Sequence, residues 1–405
     1  MDQPGKFNFQ EMLRTIKNIN LKGKRVLVRV DYNVALTARS QISDDFRIRQ
    51  SLETLKYLQK QNCKILLVSH FGRPEGKWDK KYSLRPVAKH LAKLISKVSF
   101  FDKDYIYSSS DKNRLDNLKA GEIVLLENIR FYPGEENNDK DFSQKLASLA
   151  DVFVNDAFGV CHREHASTAG ITNFLPSAAG LLLEKEIKII SQAIEKPKRP
   201  LVVLVGGAKT ETKIGMIGRL LKKADYFLIG GALANTFLKA QGYKMGKSIV
   251  DNKVVMECRK ILFQAKKNKT TIVLPKDVVV GNFKTGKIVG EVTVDKISSG
   301  LQALDIGTKT QAEFGNLIAK AKTIIWNGPM GAFEKEKFSK GTEFIYYSIA
   351  QNPNSLSIVG GGDTLACLSK EEYLKVIDHV SSGGGAMLQF IEKGTLPAIK
   401  ILEAK

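Results

Sequence analysis

Val359-Gly360-Gly361-Gly362-Asp363-Thr364-Leu365 carries a short apolar run into three glycines and then into residues suited to a helix start. Glycines let backbone N–H groups approach phosphate oxygens closely, and a helix N-terminus adds a field that favours anions. Asp363 is placed to ligate the Mg²⁺ that travels with a nucleotide. The same position also suits a plain helix N-cap. A second cluster, Ser381-Ser382-Gly383-Gly384-Gly385-Ala386, follows the apolar stretch 376–380. Glycine weakens regular elements, so two such clusters close together point to backbone approach to an oxygen-rich ligand.

The same strand-then-turn pattern recurs along the chain. Apolar, strand-like runs occur at 25–30, 64–69, 123–126, 151–155, 201–205, 226–229, 271–274, 323–326 and 356–359. Helix-period segments at 46–59, 83–95, 142–149, 310–320 and 339–349 lie between them. Near-continuous apolar strands alternating with helices predict parallel sheets covered on both faces. Ligands of such sheets bind beyond the carboxyl ends of the strands. At 405 residues the chain exceeds what one hydrophobic core usually serves, so two domains are expected. The fold class read from this is α/β, with two doubly wound, Rossmann-like parallel-sheet domains joined by a helix and hinge. The boundaries fall at 1–180, 181–199 for the connector, and 200–393. Residues 181–190 read as one amphipathic helix, with Glu184 and Lys188 at i,i+4 spacing, which Pro197 and Pro200 then stop.

Bulk properties exclude several classes. No run of eighteen apolar residues exists, so no membrane-spanning helix is expected. Met1–Lys6 lacks the apolar core of a secretory leader. Cys63, Cys161, Cys258 and Cys367 are widely spaced and form no CxxC pair, which suits a reducing cytoplasm without disulfides or structural zinc. The net charge of +21 raises nucleic-acid binding as a question. Its lysines are spread as doublets, with no basic tail and no interleaved aromatics, which disfavours nucleic-acid recognition. A lysine-rich cytoplasmic proteome or a funnel for anionic metabolites also accounts for the charge, and charge alone does not decide.

The two halves end their strands differently. In the first half, Asp31 and Asn33 follow one strand, and His70 with Arg73 follows another. Arg47, Arg130 and Arg163 lie near further strand ends. Planar guanidinium forks suit carboxylate and phosphate oxygens, so four arginines with His70 read as a basket for a small, multiply charged anion. His162 and His165 have a metal-like spacing but too few companions, and an anion-binding or structural role is preferred. In the second half, Gly206-Gly207-Ala208-Lys209-Thr210-Glu211-Thr212-Lys213 places Lys209 and Lys213 on one face if a helix begins there, where an anion would relieve their repulsion. This is no Walker A loop: Gly242–Ser248 has three residues between its glycines where four are needed. Protein-kinase signatures and a GxGxxG after the first strand are also absent from the sequence.

Taken in order, these segments resemble the phosphoglycerate kinase family across essentially the whole chain. The resemblance rests on Arg29-Val30-Asp31-Tyr32-Asn33, Ser69-His70-Phe71-Gly72-Arg73-Pro74, Glu127-Asn128-Ile129-Arg130 and Asn155-Asp156-Ala157-Phe158-Gly159. It continues in Gly206-Gly207-Ala208-Lys209, Trp326-Asn327-Gly328-Pro329 and Gly360–Thr364. The family implies an enzyme that moves a phosphoryl group between 1,3-bisphosphoglycerate and ADP, as a cytoplasmic monomer. By resemblance, Asp31, Tyr32, Asn33, Arg47, His70, Phe71, Gly72, Arg73, Arg130 and Arg163 hold the three-carbon acid. Lys209, Lys213, Gly231, Gly307, Glu334, Gly361, Gly362, Asp363 and Thr364 hold ATP or ADP with Mg²⁺, with Asp363 as the metal contact. Arg47 and Lys213 are the expected catalytic groups, and the amides of Gly383, Gly384 and Gly385 assist at the transition state. The family's last segment returns to the first domain, which implies the same for 394–405. The alternative class is a catalytically retired fold that binds nucleic acid or another anionic partner; the intact arginines, Lys213 and Asp363 speak against it.

The chain departs from the family pattern at Val160-Cys161-His162-Arg163-Glu164-His165, where Glu164 adds a negative charge beside an expected anion site. It is expected to face solvent. Thr210-Glu211-Thr212 is a second departure, between the two lysines.

Overall fold

A computed structural model describes residues 13–108, 115–367 and 375–403. Met1–Lys6 and the last two residues of the closing segment lie outside the described residues. The chain divides into two compact units. One runs through Lys188 and resumes from Thr395; the other is Ile189–Gly394.

The first unit is built on a six-stranded sheet of β1 (Arg25–Arg29), β2 (Lys64–Val68), β3 (Val98–Phe101), β4 (Ile123–Leu126), β5 (Val152–Asn155) and β6 (Ser177–Ala179). Its order is β3-β4-β2-β1-β5-β6, and every pair is parallel. Side chains alternate between two cores, one on each face. Val26, Val28, Ile65 and Leu67 enter one, while Leu27, Leu66, Val68 and Leu126 enter the other. This double burial is what the near-continuous apolar runs encode.

The second unit has a six-stranded parallel sheet of β7 (Leu201–Val205), β8 (Tyr226–Ile229), β9 (Thr271–Val273), β13 (Thr323–Asn327), β14 (Leu356–Gly360) and β15 (His379–Val380), in the order β15-β14-β13-β7-β8-β9. A smaller antiparallel sheet, β11-β10-β12, adds β10 (Asp277–Asn282), β11 (Lys287–Thr293) and β12 (Gln302–Ile306). Sequence periodicity gave no sign of that sheet. The exposed residues of β11 and the glycines at 281 and 290 break the apolar run that marks the other strands.

Strand ends are flush within each unit. Arg29 pairs with Val68 and with Asn155, so the loops after β1, β2 and β5 leave at one level. Asn327 pairs with both Val205 and Gly360, and Val205 pairs with Ile229, which aligns the turns after β7, β8, β13 and β14.

The helix Leu181–Glu195 begins in the first unit, and the division between units falls within it. Its start is capped by buried Asp156, whose Oδ1 accepts from the backbone N–H of Leu182 and Leu183 at 3.0 and 3.3 Å. The closing segment packs in the first unit through the backbone bonds Arg14 N to Leu402 O and Ala398 N to Cys161 O. Replacing the cap, Asp156→Ala, should destabilise the first unit by about 1–2 kcal/mol. Urea unfolding of the full chain followed by circular dichroism measures this, and an unchanged midpoint would remove Asp156 as the cap.

Candidate active site

In the first unit the loops after β1, β2, β4 and β5 carry the expected acid-binding residues. Asp31 is buried beside Arg47, with Arg47 Nη1 at 3.2 Å from its Oδ2. Arg47 opens the helix Phe46–Lys60 and also donates to the Asn33 carbonyl at 3.0 Å. Asn33 in turn accepts from the Gly72 N–H at 3.0 Å, tying the first loop to the second. Arg130 donates to the Gly72 carbonyl at 2.8 Å. Its Nε lies 3.0 Å from Glu136 without a hydrogen-bonding angle, so that contact is one of charge alone. Arg163 donates from Nε to His162 Nε2 at 3.2 Å.

These cations surround His70, which is buried. Burial, followed by the charges of Arg29, Arg130, Arg163 and Arg47, pushes its pKa well below the ordinary value, so the ring is neutral at pH 7. Arg73 is exposed on the same loop. Tyr32 stands apart from the other expected residues. Its ring is fully buried in the core and its hydroxyl bonds Ser51 at 2.7 Å, so only its backbone faces the loops. Phe71 is buried too, held by Asn128, which accepts from its N–H and donates to its carbonyl. Glu164 is exposed, as its sequence position suggested. His165 sits 3.6 Å from buried Glu135, and among the described residues no group of three metal-ligating side chains comes together.

Two residues here escape the sequence pattern. Asn128 joins the loops after β2 and β4 through Phe71, Tyr82 and Arg130. Arg29 reads as the polar end of a strand, yet it is 1% exposed. Neither burial is visible in residue type or spacing.

In the second unit the glycine turns pack on one another. A side chain at Gly206 would overlap the Pro329 carbonyl, and one at Gly384 would stand 2.8 Å from the Cα of Gly361. Gly361 has φ +116°, which L side chains rarely adopt. The two triple-glycine clusters therefore pack backbone to backbone. Thr364 is buried, with its hydroxyl accepting from Gly328 N–H at 2.7 Å and donating to the Gly360 carbonyl at 3.1 Å. That commits its side chain to the turn. Asp363 lies inside the first turn of the helix Gly362–Cys367, exposed to solvent, so it is not the N-cap.

Two cavities open here. One is lined by Gly207, Gly231, Phe283, Met330 and Glu334, the other by Lys209, Lys213, Gly361, Gly384 and Gly385; Asp363 lines both. Gly307 sits outside this lining, one residue past Ile306, where any side chain would strike Asp277. Gly383 caps the helix Gly384–Lys393. The expectation that Lys209 and Lys213 share a helix face is corrected. The helix is Glu211–Leu220 with Thr210 at its cap, so Lys209 precedes it, exposed, while Lys213 is buried. Both still line the same cavity. Burial lowers the Lys213 pKa to about 8, with Asp363 opposing the fall and Lys209 adding to it. That shift amounts to roughly 3 kcal/mol against the charged amine, which an incoming phosphate offsets.

The family model for phosphoglycerate kinase matches residues 16–394. The chain belongs to the phosphoglycerate kinase family. It is 48% identical to the phosphoglycerate kinase of Dictyoglomus turgidum over 391 residues, covering 96% of this chain and 98% of that one. Identity to the enzyme of Pseudothermotoga lettingae is 46%, with the same coverage of each chain. Among solved structures, phosphoglycerate kinase from Coxiella burnetii superposes with a TM-score of 0.84 at 39% identity, and that from Pyrococcus horikoshii with 0.80 at 30%. Each comparison covers 96% of this chain and 98% of the other.

The packing of the glycine turns makes a sharp contrast available. Gly384→Ala should lower the melting temperature and weaken nucleotide binding at least tenfold, because its methyl meets the Gly361 backbone. Gly385→Ala, with nothing within 4 Å, should leave the melting temperature unchanged. Calorimetric melts of both variants decide it; equal melting temperatures would contradict the packing role.

Proposed function

We propose that the chain catalyses reversible, Mg²⁺-dependent phosphoryl transfer between 1,3-bisphosphoglycerate and ADP, giving 3-phosphoglycerate and ATP, as a cytoplasmic monomer. In this reading the first unit binds the acid and the second the nucleotide. The observation that carries it is the pair of cavities meeting at Asp363, one walled by glycine and apolar groups, the other by buried Lys213. An apolar-walled space suits a base, and a lysine-lined one suits phosphates. Four cysteines without a disulfide agree with a reducing compartment. No described helix is long and apolar enough to cross a membrane.

The chemistry needs no general base. An ADP β-phosphate oxygen, already ionised, attacks the acyl phosphate phosphorus; the bond to the carboxylate oxygen breaks, and the carboxylate leaves without needing a proton. Neutral His70 accords with that demand. What remains is alignment and neutralisation of charge on the three equatorial oxygens. Arg130, Arg163 and Arg73 hold the acid's remote phosphate and carboxylate by charge-assisted hydrogen bonds. Asp31 accepts from the substrate hydroxyl and keeps Arg47 aimed through the 3.2 Å contact. Lys213 and the amides of Gly383, Gly384 and Gly385 meet the transferring group from the nucleotide side. Asp363 suits Mg²⁺, which takes one or two carboxylates, waters and phosphate oxygens rather than a cage of protein ligands. Bound there, the ion supplies neutralisation of the β- and γ-phosphates. Transfer requires that acid and nucleotide meet with water excluded from the acyl phosphate.

The direct test couples Mg-ATP-dependent phosphorylation of 3-phosphoglycerate to reductive consumption of the acyl phosphate, read as NADH loss. Turnover requiring both 3-phosphoglycerate and Mg²⁺ is expected. Absent turnover, with RNA binding that weakens as salt rises, would favour the retired-fold alternative. In the same assay Arg47→Ala should lower kcat by roughly 10²–10³ and leave nucleotide affinity within about threefold. Unchanged turnover would take Arg47 out of the reaction.

Lys213 adds a pH signature. Its protonated form is needed, and in the free enzyme that form is lost as pH rises through about 8. kcat/KM for the nucleotide should therefore fall tenfold per pH unit above that point. kcat should hold to higher pH, because bound phosphate raises the pKa again. The limb should vanish from the residual activity of Lys213→Arg. A flat wild-type profile to pH 9.5 would contradict the assignment.

A further inference from the structure

We propose that Arg29 is a positioning residue for the acid site: it holds His70 as the neutral tautomer whose proton is on Nε2, so that the ring presents one directed N–H donor to the bound anion. The inference rests on the reading of the first unit's loops as the acid site and adds to it a residue that the motifs placed only in a strand.

The geometry carries it. Arg29 Nη2 lies 3.2 Å from His70 Nδ1. A guanidinium can only donate, so Nδ1 must accept with its lone pair, and a neutral imidazole then has its proton on Nε2. One group pulls the other way. Asp31 Oδ1 stands 3.8 Å from the same Nδ1 and would favour a proton there. That separation is beyond hydrogen-bonding distance, whereas 3.2 Å is within it, so Arg29 sets the tautomer. A proton on Nδ1 would also set N–H against N–H inside a buried pocket. Burial and the surrounding charges of Arg130, Arg163 and Arg47 disfavour the doubly protonated ring as well. No hydrogen bond within the described residues ends on Nε2, which leaves that N–H for a ligand.

Arg29 is itself fixed on three sides. Its Nε donates to Ser167 Oγ at 2.8 Å, its Nη1 to the Val30 carbonyl, and its Nη2 to His70. Ser167 passes the connection to fully buried Glu135, donating from Oγ at 2.7 Å and from its backbone N–H at 2.9 Å. Burial opposes the Glu135 charge, but His165, Arg29 and Ser167 together hold its pKa below the ordinary value, so it stays ionised and balances Arg29. A lysine in place of Arg29 would keep that charge but could not serve all three partners, since it lacks the rigid fork.

The experiment uses the full chain labelled with ¹⁵N-histidine and long-range proton–nitrogen correlation, with and without 3-phosphoglycerate. Wild-type His70 should show a protonated Nε2 and an unprotonated Nδ1 at pH 7, with the Nε2 signal moving when 3-phosphoglycerate is added. Arg29→Lys should give mixed tautomers and raise KM for 3-phosphoglycerate about tenfold, with KM for the nucleotide within twofold. Ser167→Ala loosens the same buried network while sparing the Arg29–His70 contact itself, and should keep the Nε2–H tautomer and raise KM for 3-phosphoglycerate clearly less than Arg29→Lys does. An Nδ1–H ring or an imidazolium in the wild type overturns the proposal, whether or not the variants fold. So does Arg29→Lys with the wild-type tautomer and KM, or an equal rise in KM in both variants, which would mark a purely structural network. An Nε2–H ring that ignores 3-phosphoglycerate while the enzyme still turns over overturns the donor role alone. The same silence without turnover overturns the acid-site reading too.

Discussion

Parallel strands that end in register set the terms for everything else in this molecule. When Arg29, Val68 and Asn155 stand level, their loops leave the sheet at one edge, and residues more than a hundred positions apart become neighbours. The same holds where Val205, Ile229, Asn327 and Gly360 align. Parallel pairing demands long crossovers and double-sided burial, which the chain meets with helices and two cores per sheet. In exchange, each sheet gathers its loop residues at its carboxyl edge. The first unit gathers guanidinium groups there and the second gathers backbone amides, so the two can serve oppositely built halves of one reaction.

Electrostatics explains why the first unit tolerates so much positive charge in a small space. Arg47 faces Asp31, Arg130 faces Glu136, and buried Arg29 is balanced by Glu135 through Ser167. Arg29 spends its whole fork inside the protein, on Ser167, Val30 and His70. His70 contributes no charge, which keeps repulsion among the arginines from growing further. In the second unit one buried lysine, its pKa lowered by burial to about 8, lines a cavity with the glycine turns. The overall charge of +21 lies outside these balances. Nothing in the structure assigns it a function beyond a general attraction for anions.

The sequence was most legible where a physical pattern is one-dimensional. Apolar runs located β1, β2, β4, β5, β7, β8, β9, β13 and β14, because most of their positions are buried between the sheet and its helices. It was least legible where the pattern needs a third dimension. β3 is only partly buried along most of its length, and β10 to β12 form an antiparallel sheet with one strand largely exposed, so neither reads as a buried run. The glycine clusters were visible as ligand-approach turns, but their mutual packing, Gly384 on Gly361, depends on which strands are neighbours. Lys209 and Lys213 look equivalent in sequence, and a helix start at Glu211 separates them into an exposed and a buried amine. Arg29 shows the limit most clearly. The sequence places it at the polar end of a strand, and nothing in residue type or spacing shows that its guanidinium is buried.

The account rests centrally on acid and nucleotide binding to different units, each at the carboxyl edge of its own sheet. Hydrogen exchange of the full chain with one ligand at a time tests that directly. With 3-phosphoglycerate alone, protection should rise in the loops after β1, β2, β4 and β5 and leave the turns after β7, β13 and β14 unchanged. With Mg-ADP alone the pattern should reverse. Protection by 3-phosphoglycerate centred on the glycine turns, or by Mg-ADP centred on the arginine loops, would contradict the division of labour on which the mechanism depends.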